Sequence, residues 1–438
     1  MNKISESSEP QVQRPRRLSR RDFLRLAGAA AAGLALARCT PSASPAAQLM
    51  ETATATSVPS TATATTAASA TPPPTSTAVP TSPPTATGVA PDTATPSSAE
   101  VATAVPTAQP QAGGARSKVA IASIRDYDRA RVRAAVQEMV DSLGGLGDVV
   151  RPGDRVAIKV NLTGGIGNKG PDGLSPMESF VTHPEVVRAL GELVLDAGAG
   201  TLFIVEAVYQ WASYTEWGYE DVARHLGATL IDLNGTDPYP DYVHVAVPGG
   251  GEIYNEFIFN PILQEIDVFM SVAKMKCHWV AGVTHSLKNL IGLVPARFYR
   301  LTPEHSHRSA FHGPTDETAG QRVPRIIVEL NKARPIHFAL IDGIKTTEGG
   351  EGPWIRTFGP IAPGVLFAGK DPVATDAVAT AAQGFDPTAP PMTVPFVRGL
   401  NHLALAAAAG LGTHRLEEIE VMGPSIEDVR RDFRPCVG

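Results

Sequence analysis

Cysteine is scarce in this chain, and its scarcity limits the possible metal centres. The 438 residues include three cysteines, Cys39, Cys277 and Cys436. An iron–sulfur cluster or an all-cysteine zinc site needs four thiolates, so the chain cannot ligate an iron–sulfur cluster by itself. A disulfide scaffold is also excluded. If Cys39 is lipidated or removed, Cys277 and Cys436 remain to pair, and nothing in the sequence requires that they do.

An excess of basic charge and long apolar runs are also lacking. The formal net charge is -6 at pH 7. Nucleic-acid binding normally needs a clustered basic face, so we predict no nucleic-acid partner. Beyond the amino-terminal region, no apolar stretch reaches the length of about 20 residues that crosses a bilayer as a helix.

Residues 40–115 contain no aromatic side chain and only three charged ones, Glu51, Asp92 and Glu100. Such a segment cannot bury enough apolar surface to offset the entropy of ordering. We therefore predict a disordered spacer over residues 40–116, with an end-to-end distance of about 50 Å. Residues 117–438 are long enough for one sizeable core, or for a main sheet with a smaller appended lobe.

The amino terminus carries a targeting pattern. The sequence SRRDFL at residues 19–24 precedes an apolar, alanine-rich run at 26–37. This pattern resembles a twin-arginine export signal, predicted over residues 1–39, and the run is too short to span a bilayer of about 30 Å. The resemblance implies the twin-arginine translocase as a partner during export. It also implies an extracytoplasmic location, in the periplasm or on the outer cell surface.

The end of the signal allows two kinds of processing. Residues 36–39 resemble a lipoprotein box ending at Cys39, which would attach the protein to a membrane through a lipid anchor. Arg38 departs from the small residue expected before that cysteine. Residues 35–37 also fit ordinary cleavage after Ala37, so both possibilities stay open.

The rest of the chain alternates between strand and helix patterns. Strands are predicted over 119–124, 155–160, 201–205 and 229–233. Helices are predicted over 129–143, 184–198 and 219–226, and the alternation continues through 323–332, 336–342, 365–368 and 373–382. Such alternation is typical of parallel pairing. The fold class is therefore α/β, with a layered, mostly parallel sheet and flanking helices.

The greatest concentration of reactive side chains follows an apolar strand predicted over 267–273. In open α/β sheets, ligands bind beyond the carboxyl ends of the strands. Lys274, Lys276 and His278 are two residues apart, so a continued strand would place them on one face and the residues between them on the other. In an arbitrary protein such residues are more often solvated surface than an active site.

A second polar group lies a few residues later. Thr284 is predicted to cap a short helix in which His285, Lys288 and Asn289 are neighbours at i, i+3 and i+4. That geometry would suit an anion or a metal. The alternative is an ordinary helix end with Lys288 near the negative end of the dipole.

Further histidines and carboxylates are candidates for a metal site. His305 and His307 share one face if their segment is extended, and they could join a histidine of the preceding groups. Exposed loop histidines are the alternative. Asp342 at a strand end and Glu351 in a glycine-rich loop are candidates for holding a metal or orienting a catalytic histidine.

Two aspartates accompany the helix pattern at 373–382. Asp371 precedes Pro372 and is predicted to cap the helix. Asp376 is either a surface charge or faces the cleft.

One familiar pattern does not have the context it needs. Residues 165–170 read G-x-G-x-x-G, but the sequence PDG follows where a dinucleotide-binding fingerprint requires a helix. A lid or a backbone-amide nest for an anion, with Asn161 and Lys169 nearby, competes with a surface loop.

Several blocks together resemble the signature of a bacterial and archaeal family, domain-of-unknown-function family 362. The blocks are KMKCH at 274–278, T-x3-KNLIGLVP at 284–295, IKVNL at 158–162, THPEVV at 182–187, IDG at 341–343 with EGP at 351–353, and DPVATDAVA at 371–379. The resemblance extends over residues 118–422. Some relatives carry an added ferredoxin-like module with cysteine clusters, and this chain has none.

These features support three functional hypotheses. The leading one is an exported enzyme that acts on a small anionic substrate, with a divalent metal as a candidate cofactor. The assigned roles are catalytic for His278, Lys276 and Lys288; substrate-binding for Lys274, Asn161, Asn289 and Thr284; and metal-binding for His285, His305, His307, Asp342 and Glu351. The second hypothesis is a tethered protein that captures a metal or an anion without turnover. A lowered lysine pKa in the cleft would favour catalysis over capture, since capture needs charged lysines. Electron transfer is the third.

Overall fold

The computed structural model describes residues 116–301 and 309–437. The predicted signal over 1–39, nearly all of the predicted spacer, and His305 and His307 lie outside these residues. Within the described ranges, no helix combines the length and the apolar character needed to cross a membrane.

A large mixed sheet forms the centre of the domain. In the described ranges the strands are β1 (Ser117–Ser123), β2 (Arg155–Lys159), β3 (Thr201–Glu206), β4 (Thr229–Asp232), β5 (Val243–Ala246), β6 (Glu256–Phe259), β7 (Val268–His278), β8 (Gly282–Thr284), β9 (Phe338–Glu348), β10 (Gly359–Ile361), β11 (Val365–Gly369) and β12 (Ile419–Met422). The main sheet has the order β12-β1-β11-β9-β7-β2-β3-β4, with β8 paired to β7 and β10 to β9.

Most neighbouring strands along this order are parallel. Strands β9, β7, β2, β3 and β4 follow one another in parallel. Strand β11 is antiparallel to both of its neighbours, β1 and β9. The predicted α/β class with a mostly parallel sheet is confirmed.

Helices cover both faces of this sheet. In the described ranges they are α1 (Arg129–Ser142), α2 (Pro184–Asp196), α3 (Ala212–Glu216), α4 (Tyr219–Leu226), α5 (Ile262–Glu265), α6 (Asp316–Ala333), α7 (Pro372–Ala382), α8 (His402–Ala408) and α9 (Ile426–Val429). One apolar core includes Val136 of α1 and Leu190 of α2. The core on the other face includes Ile327 of α6 and Leu403 of α8, together with Phe257 of the separate two-stranded sheet β5–β6. The small sheet therefore shares a core with the main domain.

Helix starts follow the expected capping chemistry. Helix α2 begins with Pro184, and the Nδ1 atom of His183 accepts the amide of Glu185 at 3.2 Å. Helix α7 begins with Pro372, and Asp371 Oδ1 accepts the amide of Ala374 at 2.9 Å. Proline is favoured at this position because the first amides of a helix have no partner within it. The prediction of Asp371 as a helix cap is confirmed.

The prediction of Thr284 as a helix cap is wrong. Thr284 is the last residue of β8, which returns antiparallel along the end of β7. The 3₁₀ helix Lys288–Leu293 begins four residues later. Asp376 of α7 accepts the amides of Ser286 at 2.8 Å and Leu287 at 3.0 Å, so a distant carboxylate satisfies the backbone that a local cap would have served.

Candidate functional site

The parallel strands β7, β2, β3 and β4 bring their carboxyl ends to one edge of the sheet. A cavity of about 530 Å³ opens there, and we call it the edge cavity. Its charged lining residues are Lys159, Lys288, Arg297, Arg300, Glu206 and Asp232. Asn161 and Asn289 also line it. The crevice lies where open α/β sheets generally bind ligands.

Lys159 and Glu206 form a buried ion pair in the cavity wall. Lys159 Nζ lies 2.7 Å from Glu206 Oε1, and the two side chains are 1% and 6% exposed. Glu206 also accepts the amides of Leu162 at 2.9 Å and Ala207 at 3.0 Å. Burial lowers the pKa of Lys159 and raises the pKa of Glu206, because each charge has lost its water. The pair is therefore held by mutual attraction and by backbone donors.

Asn289 connects this pair to the neighbouring strand. Its Nδ2 donates to the Lys159 carbonyl at 3.2 Å and to Ser271 Oγ at 3.1 Å. Its Oδ1 lies 3.3 Å from Lys159 Nζ. Gly292 follows on the same 3₁₀ helix, and a Cβ at that position would collide with Glu206 Oε1. The loop after β8 therefore packs closely against the ion pair.

Lys276 lies behind the cavity wall. Its Nζ donates to Asn161 Oδ1 at 2.9 Å and to the Phe180 carbonyl at 2.6 Å, and the residue is 1% exposed. Met275 and Cys277 belong to the apolar core of the opposite face, so the predicted alternation along β7 is confirmed. Burial lowers the pKa of Lys276 well below its usual value, and the neighbouring charge of Lys288 lowers it further. A neutral amine has two N–H donors, which matches the two acceptors present.

Lys288 itself lines the edge cavity and is partly buried. In the described part of the chain, its amine makes no hydrogen bond and no ion-pair contact. Burial lowers its pKa to about 8; Glu351 opposes this shift and Lys159 adds to it. Lys288 is therefore a cavity-lining lysine whose amine has no protein acceptor among the described residues.

Lys274, predicted to bind substrate, has its donors occupied by the protein. Its Nζ contacts Asp342 Oδ2 at 2.9 Å, Tyr127 Oη at 2.8 Å and the Met177 carbonyl at 2.8 Å. Asp342 also accepts the amide of His183 at 3.1 Å, and the His183 ring stacks on Tyr127 with centroids 3.6 Å apart. An ammonium group has three donors. These contacts of Lys274 and Asp342 link β7, β9 and the loop before α2.

His278 is oriented by its own backbone turn. Its Nδ1 accepts the amides of Val280 at 3.1 Å and Ala281 at 3.2 Å, and its Nε2 lies 4.0 Å from Glu351 Oε1. Burial lowers the pKa of His278 well below its usual value. A neutral imidazole with an accepting Nδ1 carries its proton on Nε2. The Nδ1 lone pair of His278 is therefore engaged by backbone amides, and the protonated Nε2 lies beyond hydrogen-bond distance of Glu351.

The predicted metal ligands that lie among the described residues, His285, Asp342 and Glu351, do not form one group. His285 is fully buried, and burial lowers its pKa to about 3. Glu351 accepts the Trp279 amide at 2.9 Å and Trp354 Nε1 at 3.1 Å. Asp342 is held by Lys274. Among residues 116–301 and 309–437, no three His, Cys, Asp or Glu side chains are grouped so that they could hold a metal ion.

The glycine pattern at 165–170 has the context predicted for it. A three-residue 3₁₀ turn, Pro171–Gly173, follows it, and the next helix begins at Pro184. The preceding residues Leu162 and Thr163 line the edge cavity. The pattern belongs to a loop beside the cavity, and no helix amino terminus follows to hold a pyrophosphate.

Sequence reasoning missed Lys159 and Glu206 as site residues, along with Asp232, Arg297 and Arg300. The available signal was a charge in or at the end of a buried strand: Lys159 closes β2 and Glu206 closes β3. Burying an ionised side chain is costly without a partner, so such charges indicate pairing or function. Arg297 and Arg300 had no comparable signal.

Comparisons with known proteins show the following similarities. A thylakoid-associated protein from Synechocystis sp. is 28% identical over 289 residues, which are 65% of this chain and 81% of that protein. A solved Thermotoga maritima protein matches 53% of this chain and 53% of its own, with 12% identity and a TM-score of 0.29. The lactate racemase apoprotein from Thermoanaerobacterium thermosaccharolyticum matches 58% of this chain and 54% of its own, with 13% identity and a TM-score of 0.32.

This chain thus spans about half the length of the two solved structures. The model of the family described as Domain of unknown function (DUF362) matches residues 156–381, which include β2 except its first residue, β7, β9 and the lining lysines. The match extends over more than half of the 438 residues. The chain belongs to the DUF362 family.

Proposed function

We propose that this protein is an exported enzyme that binds a small anionic substrate in the edge cavity. The observation that carries the proposal is Lys288, a cavity-lining residue whose amine has no hydrogen-bond or ion-pair partner in the described residues. Four cationic and two acidic side chains line the cavity. Lys159 and Glu206 balance each other, so the remaining lining favours a negative ligand.

Arg297, which lines the cavity, supports recognition of a planar or tetrahedral anion. The guanidinium carbon of Arg297 lies 4.5 Å from the ring centre of Tyr242 and 4.6 Å from that of Phe298. Stacking on two rings limits the motion of the guanidinium and leaves its edge donors for a ligand. Carboxylate and phosphate groups fit such donors.

The state of the lysines favours catalysis over simple capture. Capture of an anion needs charged amines, whereas burial lowers the pKa of both Lys276 and Lys288. In the proposed enzyme, Lys288 contacts the substrate. Lys276 donates to the Asn161 oxygen and so holds this cavity-lining amide in position beside the substrate.

Export and location are part of this proposal. The twin-arginine pattern at 19–24 and the spacer over 40–116 would deliver the domain across a membrane and hold it at a distance from it. A lipid on Cys39 would attach the protein to that membrane. The name of the Synechocystis relative, which describes thylakoid association, agrees with a location at a membrane.

A divalent metal as a cofactor stays a prediction. His305 and His307 lie outside the described residues, and Nδ1 of His278 accepts two backbone amides. Elemental analysis of the full chain, purified without chelators or a histidine tag, tests it. A stoichiometric metal that is lost in His305→Ala would support metal assistance. An active protein without metal would contradict metal assistance.

The proposal is tested by screening carboxylates and phosphates for thermal stabilisation of the full chain, then following stabilising compounds by NMR for turnover. We expect at least one anion to stabilise the wild type, and Lys288→Met to abolish this effect. The matched control is Lys118→Met, which removes an exposed lysine of β1. Binding without turnover would favour the tethered capture protein. No stabilisation by any anion would contradict both.

A further inference from the structure

We propose that Lys288 is a nucleophile that forms an imine with the carbonyl carbon of an anionic carbonyl compound, such as a 2-oxo acid. This inference rests on the proposed function and specifies its substrate class. It assigns to Lys288 a covalent role beyond anion binding.

The position of Lys288 is fixed from both sides. Preceding it, Asp376 holds the amides of Ser286 and Leu287. Following it, Asn289 is bound to Lys159 and to a serine of β7. A backbone held this firmly on both sides presents the side chain to the cavity in a restricted set of conformations, which is the preorganisation that covalent catalysis needs.

Lys288 differs from the two lysines beside it. Lys159 is paired with Glu206, and Lys276 donates to Asn161 and a backbone carbonyl. Lys288 has neither kind of contact in the described part of the chain, and it is the lysine that meets the cavity without a neutralising partner. A ligand in the cavity can therefore approach its nitrogen.

The electrostatic surroundings suit a nucleophilic amine. Lys159 places positive charge nearby, whereas Glu351 opposes its effect on the pKa of Lys288. With a pKa of about 8, roughly a tenth of the Lys288 amine is neutral at pH 7, and that fraction increases as pH rises. Desolvation and a neighbouring cation are the recognised means of activating lysine for imine chemistry.

The reaction balances without an oxidant or reductant. The nitrogen lone pair adds to the carbonyl carbon, and the proton released from nitrogen goes to the oxygen to give a carbinolamine. The carbon–oxygen bond then breaks as the nitrogen lone pair forms a carbon–nitrogen double bond. The departing hydroxide takes the second nitrogen proton and leaves as water. The carboxylate of the substrate would be held by the arginine donors of the cavity, whose volume of about 530 Å³ accommodates a small organic acid.

The test is trapping of the imine on the full chain. Pyruvate with sodium cyanoborohydride, which reduces imines, should leave one reduced pyruvate on the Lys288 peptide, located by mass spectrometry. The yield should rise with pH towards about 8. Lys288→Arg keeps the positive charge but cannot form the imine, so it should fold, give no adduct there and still bind lactate, the hydroxy analogue. Lys118→Met should react like the wild type.

Two outcomes separate this inference from the proposed function. If lactate and pyruvate bind and no adduct forms at Lys288, the imine is overturned while anion binding stands. If neither acid binds and adducts spread evenly over exposed lysines, both fail. An adduct at Lys276 in place of Lys288 would also overturn the assignment. Circular dichroism of Lys288→Arg verifies that a lost adduct does not reflect a lost fold.

Discussion

Replacing Glu206 with glutamine is expected to destabilise the fold by about 3–5 kcal/mol, because the change leaves the Lys159 ammonium buried without its counter-ion. The Nζ–Oε1 distance is 2.7 Å, and the two side chains are almost fully buried, so water cannot replace the carboxylate. Glutamine has one accepting oxygen where glutamate has two. One of the two backbone amides that Glu206 accepts therefore also loses its partner.

A matched control exists on the surface. Lys345 and Glu178 form a pair of the same length, 2.7 Å, but each side chain is 30% exposed. Glu178→Gln should cost less than about 1 kcal/mol, because solvent screens exposed pairs. Urea unfolding of the wild type and both variants, followed by tryptophan fluorescence, measures the two losses.

The Glu206→Gln deficit should also depend on pH. Without the carboxylate, the pKa of Lys159 in the folded state falls further below its unfolded value. The unfolded state then binds more protons between the two pKa values, so the stability of the variant rises with pH. The deficit should be smaller at pH 9 than at pH 7. Equal losses in Glu206→Gln and Glu178→Gln would show that the buried pair contributes no more stability than the exposed one.

Three further predictions follow from buried contacts. Gly292→Ala should lower the free energy of unfolding by about 1–3 kcal/mol in urea, because the added Cβ would collide with the Glu206 carboxylate. An unchanged stability would show that the cavity wall can shift to make room for the methyl group. Burial raises the pKa of Asp376 to about 7, so wild-type stability should fall as pH rises from roughly 4 to 7. Asp376→Asn should flatten that slope, and an unaltered slope would contradict the assignment. Lys274→Met should destabilise the fold by about 3–5 kcal/mol, because it leaves the Asp342 carboxylate buried without its counter-ion. It should reduce anion affinity less than Lys288→Met does. A larger loss of affinity in Lys274→Met, measured by titration, would support a substrate-binding role for Lys274.

The fold was predictable because its signals are local. The bounds predicted for α4, 219–226, agree with the structure, and those for α2 differ by two residues at the end. Alternation along β7 also placed Lys274 and Lys276 on one face. These features depend on side-chain period and on proline or glycine at helix ends, which are properties of short segments.

The site was less predictable because its contacts join distant segments. Asp376 meets the amides of Ser286 and Leu287 across about 90 positions in the chain, and no local pattern indicates this. Thr284 was assigned wrongly for that reason. Lys159 pairs with Glu206 from another strand, so only the cost of an isolated buried charge could have indicated it.

The central claim is that the edge cavity binds a small anion through Lys288. Calorimetric titration of the full chain with pyruvate, lactate and inorganic phosphate tests it most directly, using wild type, Lys288→Met and Lys118→Met. We expect saturable binding of at least one anion to the wild type and to Lys118→Met. Lys288→Met should bind it roughly 10- to 100-fold more weakly, because a hydrogen bond to a charged group contributes about 1.5–3 kcal/mol. Equal affinities in all three proteins, or no binding to the wild type, would contradict the claim.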